Sequence, residues 1–204
     1  MIITDNRKPK WFFYPGWVVL SAISILIAWV IYWALILLIK KVVGGTIQVG
    51  GQTRITEDFL LLYILCPALG LITGLLQYLL LRRYLQRMGW WIATTTLGWS
   101  LAFIGGSLLY RASYTTLDVN SMGGVALRIV LVGGAIGLAQ WLVLRRRVRY
   151  AAWWILANVL GWGALIVGET FSSLLAFLMM PAIATSFALW LLLDKLPQCE
   201  AKGR

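Results

Sequence analysis

Five polar side chains interrupt otherwise apolar runs: Ser21, Gln77, Thr95, Gln140 and Asn158. Carboxamides and hydroxyls in such places hydrogen-bond across helices, or they line a pocket for a ligand. Gln and Asn can also serve as axial ligands to a chlorophyll-like pigment. Their spacing is regular. Gln77 and Gln140 each stand five positions before an arginine pair, Arg82-Arg83 and Arg145-Arg146, and so lie roughly 7 Å from it at helical rise. Ser21, Thr95 and Asn158 each stand four residues after a tryptophan: Trp17, Trp91 and Trp154. The spacing predicts one polar layer. A carboxamide buried without a partner is costly, so these groups should pair across helices. Each such bond contributes about 0.5–2 kcal/mol in lipid. A cavity for a small molecule, lipid or pigment is the functional alternative at Gln77, Thr95, Gln140 and Asn158.

Other chemistry is thinly supplied. The chain has no histidine, which removes the commonest metal ligand and the commonest neutral-pH proton shuttle. It has no paired carboxylates, no nucleophile–base constellation and no nucleotide loop, so no enzymatic activity, metal or cofactor is expected. Arg128 and Glu169 are the charges closest to the apolar depth, and they form a candidate ion pair on the side away from the arginine bends. Cys66 lies in an apolar run and Cys199 in a polar tail, so no disulfide is expected.

The elements carrying these residues are read from composition. Of 204 residues 61% are hydrophobic and only 12% are charged, and the charges cluster at the ends of long apolar runs. A soluble domain needs a polar exterior; this pattern is that of a polytopic α-helical membrane protein. Six spans are predicted: about 17–39, 59–81, 89–110, 122–144, 151–168 and 171–193. Thirteen of the 18 cations fall on one side of such an array, which places both termini in the cytoplasm. The net charge of +11 is thus assigned to orientation and anionic headgroups, with Arg82, Arg83, Arg145, Arg146 and Arg147 as the contact groups, and not to nucleic acid. Between the first two spans, Thr46–Val49 and Gln52–Ile55 alternate around Gly50-Gly51. That is a β-hairpin signal, with a flexible loop as the alternative. Pro67 and Pro181 are candidate kinks.

A repeat sets the architecture. Gly74–Trp99 and Gly137–Trp162 align without a gap and share 13 of 26 residues. Gly70, Gly74 and Gln77 lie on one helical face, as do Gly133, Gly137 and Gln140, and such small-residue faces predict seams of close helix approach. Span six offers Ala182, Ser186 and Leu189 at the same spacing. Three successive hairpins follow, over approximately 11–83, 88–146 and 151–195, in one transmembrane domain spanning 1–204. Trp11, Trp17, Trp90, Trp91, Trp153 and Trp154 are expected in the aromatic belt at the inner interface, and Trp99 and Trp162 in the core.

The phrase Gly137-x-x-Gln140-Trp-Leu-Val-Leu-Arg-Arg146, followed by Trp153-Trp-Ile-Leu-Ala157 and Leu160-Gly-Trp-Gly163, resembles a loosely defined set of tryptophan-rich polytopic membrane proteins of cyanobacteria and other bacteria. The resemblance covers residues 63–168. It implies a plasma-membrane or thylakoid location and brings no catalytic or binding residues. The sequence is therefore read as an all-α six-helix transmembrane bundle of three hairpin repeats. The expected role is an accessory, scaffold or assembly subunit packed against lipids and other membrane proteins. A small-molecule or lipid transporter and a pigment-binding protein are the alternatives.

Overall fold

The computed structural model describes residues 11–42, 44–49, 52–85, 88–113, 122–146, 148, 150–168 and 174–194. The described residues are helical apart from one small hairpin and the connecting turns. Helix α1 is Phe13–Val42, followed by strands β1 (Thr46–Val49) and β2 (Gln52–Ile55). Next come α2 (Thr56–Leu60), a π-helical turn (Leu61–Leu65) and α3 (Cys66–Leu81), which together make one rod. Then come α4 (Trp90–Ser113), α5 (Met122–Leu144), α6 (Trp153–Gly168) and α7 (Leu174–Asp194). The rod containing α3 and the helix α1 are each long and apolar enough to cross a membrane.

The rods form a closed ring. Each packs on its neighbours in sequence, and α1 closes the ring by packing on both α3 and α7. The arginine bends after α3 and α5 share two backbone bonds at matched positions. Arg82 N donates to Tyr78 O and Leu85 N to Leu81 O, at 2.9 and 2.8 Å. Sixty-three residues on, Arg145 N donates to Trp141 O and Val148 N to Leu144 O, both at 2.8 Å. Leu81, Leu144, Met88 and Ala151 from these bends bury into one apolar cluster with Phe13, Trp17, Leu189 and Leu192. That cluster seals one end of the ring. A second cluster, around Tyr32, Ile36, Leu65 and Ala102, fills the other end.

The seams follow the small residues. A Cβ placed on Gly70 would stand 2.6 Å from Thr96 Cα, and one on Gly133 would stand 2.8 Å from Asn158 O. At these points helix backbones touch, α3 on α4 and α5 on α6. The companion glycines Gly98 and Gly161 do the same for α4 on α5 and α6 on α7. In α1 the residue aligned with Gly98 is Ser24, whose hydroxyl meets Thr73 Oγ1 at 2.7 Å. In α7 the residue aligned with Gly137 is Ser186, which donates to Tyr14 O at 3.0 Å. At these two positions a short hydroxyl side chain stands where the other copies carry glycine, and it bonds across the seam.

The hairpin alternative for residues 46–55 is the one realised, with Thr46 opposite Ile55 and Val49 opposite Gln52. Gly44 at φ +95° turns the chain out of α1, donating its N–H to Lys40 O as a left-handed cap does. Thr56 Oγ1 returns a bond to Gly44 O. Pro67 does not break its rod. Its ring lacks an N–H and crowds the preceding turn. The π-helical turn just before it takes up the mismatch, with Cys66 donating its N–H to Leu61 O, five residues back.

Candidate functional site

The five layer residues meet at one level inside the ring. Gln77 on α3 is a two-way clasp. Its Nε2 donates to Ser21 Oγ on α1 at 3.1 Å, and its Oε1 accepts from Trp91 Nε1 on α4 at 3.2 Å. Gln140 on α5 repeats this: Nε2 donates to Thr95 Oγ1 on α4 at 3.1 Å, and Oε1 accepts from Trp154 Nε1 on α6 at 2.9 Å. One carboxamide thus ties three helices. It does so because the amide offers a donor and an acceptor on opposite sides of one flat group. The third copy departs from the pattern. Its glutamine position is Leu189, and Trp17 Nε1 donates instead to Thr185 Oγ1, one turn away, at 3.1 Å. Thr185 spends its own proton within α7, on Pro181 O at 2.7 Å. Asn158 likewise turns inward on its own helix, Nδ2 to Trp154 O at 2.9 Å. Among the described residues, no clasp equivalent to Gln140–Thr95 therefore joins α6 to α7.

Trp17, Trp91 and Trp154 are not belt residues. They are fully buried and pack edge to face as a triangle, with ring centroids 5.8–6.2 Å apart. Successive residues on a helix point about 100° apart, so Trp90 and Trp153 face outward while their neighbours face the axis. The outward pair is 73% and 61% exposed. Each inward ring gains edge-to-face contacts, and each N–H has its acceptor, which is what a buried indole requires. Among the described residues no buried side-chain polar atom lacks a partner.

Above the triangle lies a chamber of about 50 Å³, lined by Ser21, Thr73, Gln77, Gln140, Asn158 and Thr185 among others. Trp99 and Trp162, edge to face at 5.5 Å, line it together with Ile25. Such a volume admits on the order of one to three waters and nothing as large as a pigment or metabolite. Its lining residues are all uncharged. Of the residues singled out from sequence, the structure brings Ser21, Gln77, Thr95, Gln140 and Asn158 together, and it adds Ser24, Thr73 and Thr185. Thr185 was legible only as a hydroxyl in an apolar run, one turn off the aligned position.

Arg82, Arg83, Arg145 and Arg146 are exposed at the ends of α3 and α5. Arg145 lies over the Trp141 ring, 4.9 Å from its centroid. Arg147, Glu169 and Cys199 lie outside the described residues, as does the side chain of Arg128, and the candidate outer pair Arg128–Glu169 falls there with them. Cys66 is a buried free thiol. On the outer surface between α6 and α7 runs an apolar groove of about 400 Å³, lined by Tyr150, Trp153, Leu156, Leu160, Phe187 and Leu191 among others.

Replacing Gln140 by Leu keeps the bulk and deletes the clasp. It leaves Trp154 Nε1 without its acceptor, so a loss of about 1–2 kcal/mol is expected in detergent-titrated unfolding. Unchanged stability would show that the clasp holds nothing.

No protein-family model, curated protein or solved structure matches this chain.

Proposed function

We propose that this chain is an integral membrane scaffold, non-enzymatic, spanning the bilayer six times as three hairpins with both termini on the arginine side. One observation carries the reading: the polarity of the bundle is inverted. Hydrogen-bonded Gln77, Gln140, Thr95 and Asn158 are buried, while Val30, Leu37, Leu97, Leu160 and Phe187 are exposed at 58–69%. Such a perimeter is stable against acyl chains and other membrane helices, and in water it would drive association. A carrier needs a substrate-sized interior; a chamber of about 50 Å³ argues against one. The same volume argues against pigment on the axis. The tryptophan-rich resemblance fits a bacterial plasma or thylakoid membrane.

The test has two parts. The chain should stay in the membrane through an alkaline wash, and a cysteine introduced at Thr115 should be labelled from outside by an impermeant maleimide. Purified in mild detergent, it should carry larger membrane subunits in fixed ratio, and Leu97→Arg on the exposed perimeter should release them. A monodisperse lone chain, or one with visible absorbance, would overturn the scaffold reading.

A further inference from the structure

We infer that the chamber inside the ring is a binding site for water, held as a fixed bridge between the Gln77 and Gln140 carboxamides and that of Asn158. Such a site goes beyond the scaffold role and does not depend on it.

The glutamine clasps leave protons unspent. An indole N–H can only donate, so Trp91 and Trp154 each fix a glutamine with Oε1 toward the ring. Each Nε2 then carries two protons, and one of them goes to a hydroxyl, Ser21 for Gln77 and Thr95 for Gln140. The second N–H of each carboxamide meets no acceptor among the described residues. Ser21 Oγ accepts from Gln77, and its own proton likewise meets no acceptor among them.

Acceptors are left over as well. Asn158 is 3% exposed, and its Nδ2 is committed to Trp154 O. Its Oδ1 accepts from no described residue. Every fully enclosed side-chain oxygen or nitrogen among the described residues has a partner, so Oδ1 is not enclosed by protein. It opens on the chamber that Asn158 lines. Ser24 donates to Ser21 O at 2.6 Å, so the proton in its 2.7 Å contact with Thr73 belongs to Thr73. Thr73 Oγ1 thereby keeps lone pairs at the chamber wall.

Ser21, Thr73, Gln77, Gln140 and Asn158 all line this one chamber. Unspent donors and unspent acceptors around one space call for a ligand that is both. Water offers two protons, for Asn158 Oδ1 and Thr73 Oγ1, and two lone pairs for the amide and hydroxyl protons. An ion does not match. A cation would face the N–H groups and an anion would face Asn158 Oδ1, and no charged residue lines the chamber to neutralise either. An apolar ligand or a lipid tail would strip the amides of any partner. The chamber's volume of about 50 Å³ clears the roughly 10–15 Å³ that one water requires. Bound there, water ties α6 into the bundle a second time. The Asn158 carboxamide bonds directly only within its own helix, and through water it reaches Gln77 on α3 and Gln140 on α5.

The experiment uses the full chain in detergent with isotope-labelled glutamine side chains, read by Overhauser effects to water. The side-chain amide protons of Gln77 and Gln140 should both show the ratio of nuclear to rotating-frame effect that a long-lived water gives. Gln48, exposed on β1, should show the ratio of bulk water. Absence of the bound-water ratio at either Gln77 or Gln140, or cross-peaks to detergent tails in its place, would overturn the site. Asn158→Leu should at least halve the effect at both glutamines, and an unchanged effect would remove Asn158 from the bridge. A matched pair tests the water by its energetics. Ala182 lines the chamber from α7 and is 5% exposed. Ala182→Val and Ala182→Thr add the same bulk there, and only threonine brings a hydroxyl to stand in for displaced water. The valine variant should melt about 2–4 °C below the threonine variant, the shift that one hydrogen bond gives a chain of this size. A valine variant that melts as high as the threonine variant, or higher, would mean that a dry void has been filled and that no water bridge is there.

Discussion

Replacing Trp154 by alanine is expected to destabilise the bundle by about 3–5 kcal/mol, while replacing the adjacent Trp153 should cost less than about 0.5 kcal/mol. Trp154 is fully buried, in contact with Trp17 and Trp91 at 5.9 and 5.8 Å, and its N–H is the donor to Gln140. Trp153 is 61% exposed. The magnitude comes from packing more than from the hydrogen bond. Interhelical hydrogen bonds in membranes contribute on the order of 1 kcal/mol, because polar groups of a partly unfolded chain find other partners there. A cavity the size of an indole has no such remedy, since neither lipid nor water fills a dry core efficiently. Trp154→Ala should therefore cost at least about twice as much as Gln140→Leu. Detergent-titrated unfolding followed by near-ultraviolet circular dichroism reads both loss of stability and loss of the coupled aromatic signal. Equal effects at 153 and 154 would contradict an axial triangle.

Gly133→Val is the second large effect. A Cβ at this position would stand 2.8 Å from Asn158 O and 2.9 Å from Val159 Cα. Both are backbone atoms, so no rotamer change relieves the clash and α6 itself must shift. The expected cost is about 3 kcal/mol or more, at the upper end for overpacking, and it should disturb the nearby Gln140 clasp. The neighbouring Gly134 has nothing within 4 Å of its Cβ position. Gly134→Ala should be neutral or stabilising by up to about 1 kcal/mol, because alanine is the better helix former. Thermal melts of the two variants in one detergent decide the matter. A tolerated Gly133→Val would mean that α5 and α6 are not in backbone contact there.

These paired tests mark how far the sequence could be read. The exact 63-residue recurrence of Gly, Gln, Arg-Arg and Trp-Trp predicted matching bends, and the two bends share backbone bonds at Arg82 and Arg145 and at Leu85 and Val148. The glycine faces predicted seams, and Gly70, Gly74, Gly133 and Gly137 lie in them. Spacing also placed Ser21, Gln77, Thr95, Gln140 and Asn158 at one depth. Depth along a helix is a count of residues, and a count is visible in sequence. Direction around the axis is harder. Trp17, Trp91 and Trp154 were expected in the belt because tryptophan favours interfaces, and composition cannot tell which of two adjacent rings turns inward. The third copy was harder still. Its alignment pointed to Leu189, whereas Trp17 found its acceptor on Thr185, a turn away.

The sequence by itself determined the apolar rods, the polar stations along them, the small-residue faces and the side of the array that carries the arginines. These are local properties, set by helical rise and by the spacing of apolar, small and polar residues along the chain. Only the tertiary structure decided that the rods close into a ring with three tryptophans meeting on its axis. It also decided that one carboxamide ties three helices, and that among the described residues the seam between α6 and α7 has no such clasp and opens as a groove. Those depend on which helices become neighbours. Neighbours are selected by the sum of many close contacts over the whole ring, and no single stretch of the chain contains that sum.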